Sequence, residues 1–442
     1  KEFHKKQNFF SFSDIDSERK DRIMKFTSTE ATPAPHVPPG VLRLTGAAKE
    51  DIPMYRIQTM NKISPVGLNR FPSELYEVGD AVQDPQGILV RSAKLLDLEF
   101  NPGLLAIARA GVGVNNIPLD RCAAAGIPVF STPGANANAV KELVICAMLM
   151  GSRDIPGAIR WVREQAASGA DVSTVVEKGK SAFIGPELYK KTLGIIGLGA
   201  IGSIVANTAI SLGMDVYGYD PFLSVDTALR LDRHVHVVKD INDLYKRSDY
   251  ITMHIHYTEK TARMIDASAI AAMKRGVRVI NLARGEIVDD EAMLTALDTG
   301  MVAAYITDFP NNRLLTAPHV IAMPHLGAST PESEQNCAAM AVDTLRDYLE
   351  SGNIRSSVNL PEMTMDRSGV QRLCVLHKNV PGMLANITSL FGRDGVNVEN
   401  LSNKSRGDYA YTMVDLGSKV GDNVIEDVRR TANVIRVRSL EW

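Results

Sequence analysis

The chain has 442 residues, of which 45% are apolar and 23% charged, and a formal net charge of −2. That composition excludes wholesale disorder and collagen-like repeats, and the charge balance argues against a basic nucleic-acid binder or a polybasic membrane binder. At this length about three domains are expected. No apolar run approaches the ~18 residues a membrane span needs. No leader pattern stands at the start, where Lys1 replaces the usual Met. Cys122, Cys146, Cys337 and Cys374 lie far apart with no C-x-x-C pair. Neither a zinc site nor a disulfide framework is expected, and a reducing, cytoplasmic setting is the default.

Residues 1–53 read as an extension, with a polar helix over Asp14–Phe26 and a linker holding Pro33, Pro35, Pro38 and Pro39. From Met54 the pattern turns globular. Tyr55–Met60, Gly87–Val90 and Leu104–Arg109 read as short strands. Ala139–Met150 reads as a long apolar helix. A second series of strands begins at Thr192: Leu193–Leu198, Asp215–Tyr219, His236–Val238, Tyr250–Ile255, Val277–Leu282, Ala303–Asp308 and Val320–Met323. Helical stretches such as Ile201–Leu212 and Asp290–Leu297 lie between them, the latter with Asp289 and Asp290 as capping carboxylates. Apolar strands alternating with amphipathic helices predict parallel sheets covered on both faces. Pro331–Leu349 reads as a further long helix and Leu360–Gly369 as a linker. Leu373–Leu440 reads strand, helix, strand, strand, helix, strand.

Gly197-Leu-Gly199-Ala200-Ile201-Gly202 follows an apolar strand and opens an apolar helix. Alone, G-x-G-x-x-G is a weak signal; in that setting it is a dinucleotide fingerprint. Gly197 makes the tight turn, Gly199 admits a pyrophosphate, and Gly202 lets helix and strand pack closely. The helix N-terminus then offers free N–H groups to the phosphates. Asp220 ends the next strand, where a carboxylate can hold both ribose hydroxyls of NAD and repel the 2′-phosphate of NADP.

Asn281-Leu-Ala-Arg284-Gly285 and Pro324-His325-Leu-Gly327 each end a strand, so Arg284 and His325 are expected to face the cofactor cleft. A guanidinium grips a carboxylate bidentately. A histidine near neutral pKa can take a hydroxyl proton as hydride leaves the same carbon. Together they are the minimum equipment for oxidising a 2-hydroxy acid.

These runs, with Ala108-Arg-Ala-Gly-Val-Gly-Val-Asn-Asn116 and Ala123–Gly126-Ile-Pro-Val, resemble the D-2-hydroxyacid dehydrogenase family over 54–442. The resemblance implies a Rossmann-type doubly wound parallel sheet (140–326) inserted in a smaller flavodoxin-like α/β substrate domain (54–139 and 327–362). It implies carboxylate binding at the Val112 and Gly113 amides, helped by Arg284, and substrate-phosphate binding at Arg91 and Ser92. It also places His254 and Asp308 beside the cofactor. One departure stands out. The family pairs its histidine with a glutamate shortly after the strand at 303–308, where this chain reads Asp308-Phe-Pro-Asn-Asn312-Arg313. Either Asp308 takes over the orienting role or His325 works without an acid partner.

Residues 370–442 resemble an ACT domain, a βαββαβ ligand-binding module, through His377-Lys-Asn379-Val-Pro-Gly-Met-Leu and Gly395-Val-Asn397-Val. His377, Asn379 and Asn397 match positions that bind L-serine in relatives carrying this module. The whole implies NAD-dependent oxidation of 3-phosphoglycerate with L-serine feedback, in a homodimer or homotetramer, with no metal, nucleic acid or membrane partner. Two rivals are a glyoxylate or hydroxypyruvate reductase and a non-catalytic, NAD-sensing, corepressor-like scaffold.

Overall fold

The computed structural model describes residues 54–442. The expected extension and its polar helix lie outside the described residues. A five-stranded parallel sheet comes first: β1 (Tyr55–Thr59), β2 (Tyr76–Gly79), β3 (Gly87–Val90), β4 (Ala106–Arg109) and β5 (Val129–Phe130), in the order β2-β1-β3-β4-β5. That is the flavodoxin-like order. The sequence reading missed β2 and β5. β2 has four residues on an edge and β5 only two, too short for an alternation to register. The helix Pro331–Ser351 returns from far along the chain to cover this sheet. Its Ala338, Ala341, Val342 and Leu345 share one core with Ile57, Leu89 and Ala106. Contact is close where Gly67 meets it, since a Cβ there would lie 2.6 Å from the Ala338 backbone carbon.

The second sheet has seven parallel strands: β6 (Thr192–Ile196), β7 (Asp215–Tyr219), β8 (His236–Val238), β9 (Tyr250–Met253), β10 (Val277–Asn281), β11 (Val302–Thr307) and β12 (Val320–Ala322). Their order is β12-β11-β10-β9-β6-β7-β8, so the winding reverses between β6 and β9. Ligands bind at such a switch point, outside the carboxyl ends of the strands. The helix Ala137–Arg153 starts two residues before its expected Ala139. It packs Val140, Val144 and Met148 onto Leu193, Ile195 and Ile306 of this sheet.

The C-terminal part runs β13 (Gln371–Lys378), helix Met383–Arg393, β14 (Val398–Arg406), β15 (Tyr409–Leu416), helix Asp422–Arg430 and β16 (Val434–Glu441). The sheet is antiparallel, ordered β14-β15-β13-β16. Ile387, Phe391, Val424 and Val428 of the two helices share a core with Leu373, Val375 and Val414 of the sheet. Sheet residues Cys374, Leu376, Tyr411 and Met413 instead join Phe130, Tyr348 and Leu349 of the first domain's core. The segment expected to be a linker is packed: Leu360, Met363 and Met365 are buried, and Ile354 bridges Met363. Arg372 and Asp415 form a bidentate ion pair at 2.6 and 2.7 Å, with both side chains fully buried. Arg372 also donates to the carbonyls of Ser351, Met365 and Asp366. Arg438 donates to Tyr348 and Leu349 near the end of the long helix. Polar ties therefore back up the shared core.

Among the described residues, no helix is long and apolar enough to cross a membrane, and no cluster of metal-ligating side chains occurs. The four cysteines are free thiols, with Cys146 exposed and the others buried.

Candidate active site

The glycine turn leaves β6 as the sequence predicts. Gly197 has φ +90, and a Cβ there would sit 2.6 Å from the His254 carbonyl oxygen. A Cβ at Gly202 would collide with the Gly197 oxygen, so strand and helix meet at van der Waals distance. A Cβ at Gly199 would meet nothing within 4 Å, which leaves the open approach a pyrophosphate needs. Ala200 and Ile201 form the first turn of the helix Ala200–Ser211, whose leading amides point into that space. Asp220 anchors the turn from the end of β7. Its Oδ2 accepts from Leu198 N–H at 2.9 Å, and its Oδ1 from Phe222 N–H at 2.8 Å. These residues fit a dinucleotide: a phosphate cradle on one strand and a carboxylate on the next.

His254 follows β9, its amide bonded to the Ile196 carbonyl at 2.7 Å and its Nε2 3.2 Å from Thr252 Oγ1. Burial pushes its pKa down to about 4, so the ring is neutral near pH 7. His256 lies exposed beyond the strand and contacts Thr261 through its carbonyl.

Arg284 is held by Asn281, the fully buried last residue of β10. Asn281 Nδ2 donates to the Arg284 carbonyl at 2.8 Å, and its Oδ1 accepts from Ala283 N–H at 3.1 Å. The Arg284 side chain reaches the glycine loop after β4, where a Cβ on Gly113 would lie 3.1 Å from Nη2. The amides of Val112 and Gly113 find no acceptor among the described residues, which leaves them free for a carboxylate.

Arg109 is a site residue that the sequence reading passed over. A Cβ on Gly111 would sit 2.9 Å from its Nη1, and its Nε donates to the Arg91 carbonyl at 3.0 Å. Burial first, then repulsion from Arg284 and Arg91, hold its pKa below the ordinary arginine value. Three guanidinium groups thus crowd one cleft. Arg109 stood inside the Ala108–Asn116 run, but nothing in its spacing separated it from a surface charge. Ser92 sits beside Arg91, and both amides bond to Asn61 Oδ1.

His325 is exposed, beyond β12. Its ring rests on Phe309, which in turn lies 5.9 Å beneath the Arg284 guanidinium carbon. Asp308 is buried next door. Its Oδ2 accepts from Gly327 N–H at 3.2 Å, and its Oδ1 has no partner. Burial raises its pKa and the nearby His325 charge opposes that rise. Asp308 therefore fixes the backbone two residues past His325 and makes no hydrogen bond to the ring. Asn312 and Arg313 are exposed. Arg313 lines a cavity of about 650 Å³ with Arg263, Glu286, Asp290 and Phe309.

In the C-terminal module the three matched residues part company. Asn379 and Asn397 are exposed, with Nδ2 atoms on the Gly407 carbonyl and Glu399. His377 is 2% exposed, and both ring nitrogens are engaged at 2.8 Å, by the Lys378 carbonyl and the Thr412 hydroxyl. Its ring is therefore engaged within the module, unlike the two exposed asparagines. The strand places it on the inward face that the pleat assigns.

The model for the D-isomer specific 2-hydroxyacid dehydrogenase NAD-binding domain matches residues 145–327. A D-3-phosphoglycerate dehydrogenase of Synechocystis is 36% identical over 326 residues, 72% of this chain and 56% of the relative. One from Haemophilus influenzae is 31% identical over 379 residues, 82% of this chain and 88% of the relative. The solved structure of an Entamoeba histolytica 3-phosphoglycerate dehydrogenase with NAD+ bound aligns at TM-score 0.54 and 26% identity, covering 69% of this chain and 99% of that one. The match spans between 55% and 60% of the length of three such relatives, including that of Synechocystis.

Proposed function

The chain belongs to the D-isomer specific 2-hydroxyacid dehydrogenase family, and we propose that within it the protein oxidises 3-phosphoglycerate to 3-phosphohydroxypyruvate, with NAD as acceptor. The observation that carries this reading is the convergence of Arg109 and Arg284 on the loop Gly111–Gly113, with Arg91 close enough for its charge to be felt by Arg109. Three cations suit a substrate with an anion at each end, whereas glyoxylate or hydroxypyruvate offers only one.

Arg284 and the amides of Val112 and Gly113 hold the carboxylate, and Arg91 and Arg109 face the phosphate end. His325 takes the hydroxyl proton on its ring. NAD supplies the hydride acceptor. Phe309 keeps the His325 ring from swinging away, and Asp308 secures the loop behind it. Arg284 also offsets charge on the oxygen as it loses its proton.

The exposed Asn379 and Asn397 form the face to which L-serine binds, with His377 as the group behind it. The helices Ile155–Ala167 and Val172–Gly179 bury no residue, and Ile159 and the nearby Ile184 are 51% and 81% exposed. Such apolar surface is covered in a homo-oligomer.

One assay tests the reading. NADH formation is followed with 3-phosphoglycerate and with glycerate, with and without millimolar L-serine. Turnover confined to the phosphorylated acid and reduced by serine is expected. NAD binding without turnover of either acid would favour the scaffold reading.

A further inference from the structure

Arg91 leaves the carboxyl end of β3 on a pinned backbone. Asn61 Oδ1 gathers the amides of Arg91 at 3.3 Å, Ser92 at 3.0 Å and Ala93 at 2.7 Å. Only the side chain is free to choose a partner, and that partner is a carboxylate. Arg91 Nη2 donates to Glu334 Oε1 at 2.6 Å, the two side chains being 41% and 43% exposed. Glu334 lies in the first turn of the helix Pro331–Ser351, which Thr330 caps by accepting from Ser333 N–H. A carboxylate in a first turn is favoured by the helix dipole.

Stability does not explain this pair, because an exposed ion pair contributes little. Its position does. Among the described residues, Glu334 is the carboxylate that forms an ion pair within the Arg91, Arg109 and Arg284 group. The helix that carries it begins six residues after His325.

Resting on the assignment of Arg91 to the phosphate end of the substrate, we propose that Glu334 is an internal stand-in for the substrate's phosphate. It holds Arg91 while the site is empty and must be displaced before a phosphorylated 2-hydroxy acid binds. The exchange selects by charge. A phosphate monoester near neutral pH carries almost two charges and three acceptor oxygens, and it outcompetes one carboxylate for a guanidinium. A hydroxyl in the same place cannot, so an unphosphorylated acid leaves Arg91 on Glu334. Glu334 thereby raises KM for any substrate that needs Arg91 and takes no part in the chemistry.

The test is steady-state kinetics of Glu334→Gln, Arg91→Gln and the double variant with 3-phosphoglycerate, together with calorimetry of inorganic phosphate binding to the full chain. Glu334→Gln should lower KM about two- to fivefold, the span of exposed ion pairs, with kcat unchanged. It should tighten phosphate binding by a similar factor, and both gains should vanish in the Arg91→Gln background. A raised KM would mean that Glu334 holds Arg91 in its productive pose, and would overturn the proposal. A gain that survives in the Arg91→Gln background would overturn it too, because Glu334 would then act through the general field. If no phosphorylated acid is turned over, the functional reading fails and the phosphate isotherms still decide: tighter binding to Glu334→Gln sustains the proposal, and unchanged binding ends it.

Discussion

The imidazole of His325 lies against the ring of Phe309, centroids 4.6 Å apart and planes at 49°. The family places a glutamate close by in sequence; here the ring in contact with the histidine is aromatic, and the nearest acid, Asp308, bonds a backbone amide instead. Of the two expectations, an orienting Asp308 or a histidine without an acid partner, the geometry favours the second, with packing on Phe309 in place of a carboxylate. Phe309→Ala should lower kcat by up to about tenfold, given that aromatic pairs contribute roughly 0.5–1.5 kcal/mol. Phe309→Tyr should retain most activity. Equal kcat in wild type and Phe309→Ala would show that the ring has no positioning role.

Asp308 couples to the site through charge. The effect is read in stability. Burial holds the Asp308 carboxyl above its ordinary value. A raised folded-state pKa contributes stability below the unfolded value, about 3.9, and loses it as pH rises through the folded value. Asp308→Asn, whose amide oxygen can still accept from Gly327 N–H, should thus gain melting temperature over wild type as pH rises through that window. A gap in melting temperature that stays constant with pH would contradict the assignment.

Asp220 serves two ends at once. Its oxygens hold the amides of Leu198 and Phe222, and each keeps a second lone pair that a ribose hydroxyl can use. Asp220→Ala should lower the preference for NAD over NADP about ten- to a hundredfold, as expected for hydrogen bonds to a charged group, chiefly by raising KM for NAD. Wild-type enzyme that uses both cofactors equally would remove Asp220 from this role.

His377 and Asn379 should separate in a serine titration. Asn379→Ala should abolish inhibition with little change in melting temperature, since the side chain is exposed. His377→Ala strips a buried partner from the Thr412 hydroxyl, so it should also cost about 1–3 kcal/mol of stability. Inhibition that persists in Asn379→Ala would place the effector elsewhere.

The buried Arg372–Asp415 pair makes the C-terminal module intolerant of single charge loss. Arg372→Met should destabilise by about 3–5 kcal/mol, because Asp415 would be left charged and alone in the core. Arg372→Met with Asp415→Leu should recover much of that in denaturant melts. A single variant as stable as wild type would show that Asp415 finds another partner.

Much of this was legible in the sequence because it is written in local patterns. Strand–glycine–helix around Gly197–Gly202, the acidic end of β7 and the runs ending in Arg284 and His325 each fix a backbone conformation over a few residues. Alternation of apolar strands with helices then dictates parallel sheets, and the carboxyl ends of their strands dictate where the chemistry gathers. What only the tertiary structure decided are relations between residues far apart in sequence. Arg109 became a site residue because β4 and β10 bring it beside Arg284 and Gly113. Glu334 met Arg91 because a helix 243 positions away returns across the first sheet. Phe309 faces His325 because β11 and β12 are neighbours. His377 turned inward because it follows Leu373 and Val375 on the strand face that the module's own two helices cover, where it meets Thr412, 35 positions away. A sequence specifies which groups are available through short-range conformation; which of them share a few ångströms is set by how whole sheets and helices bury their apolar faces.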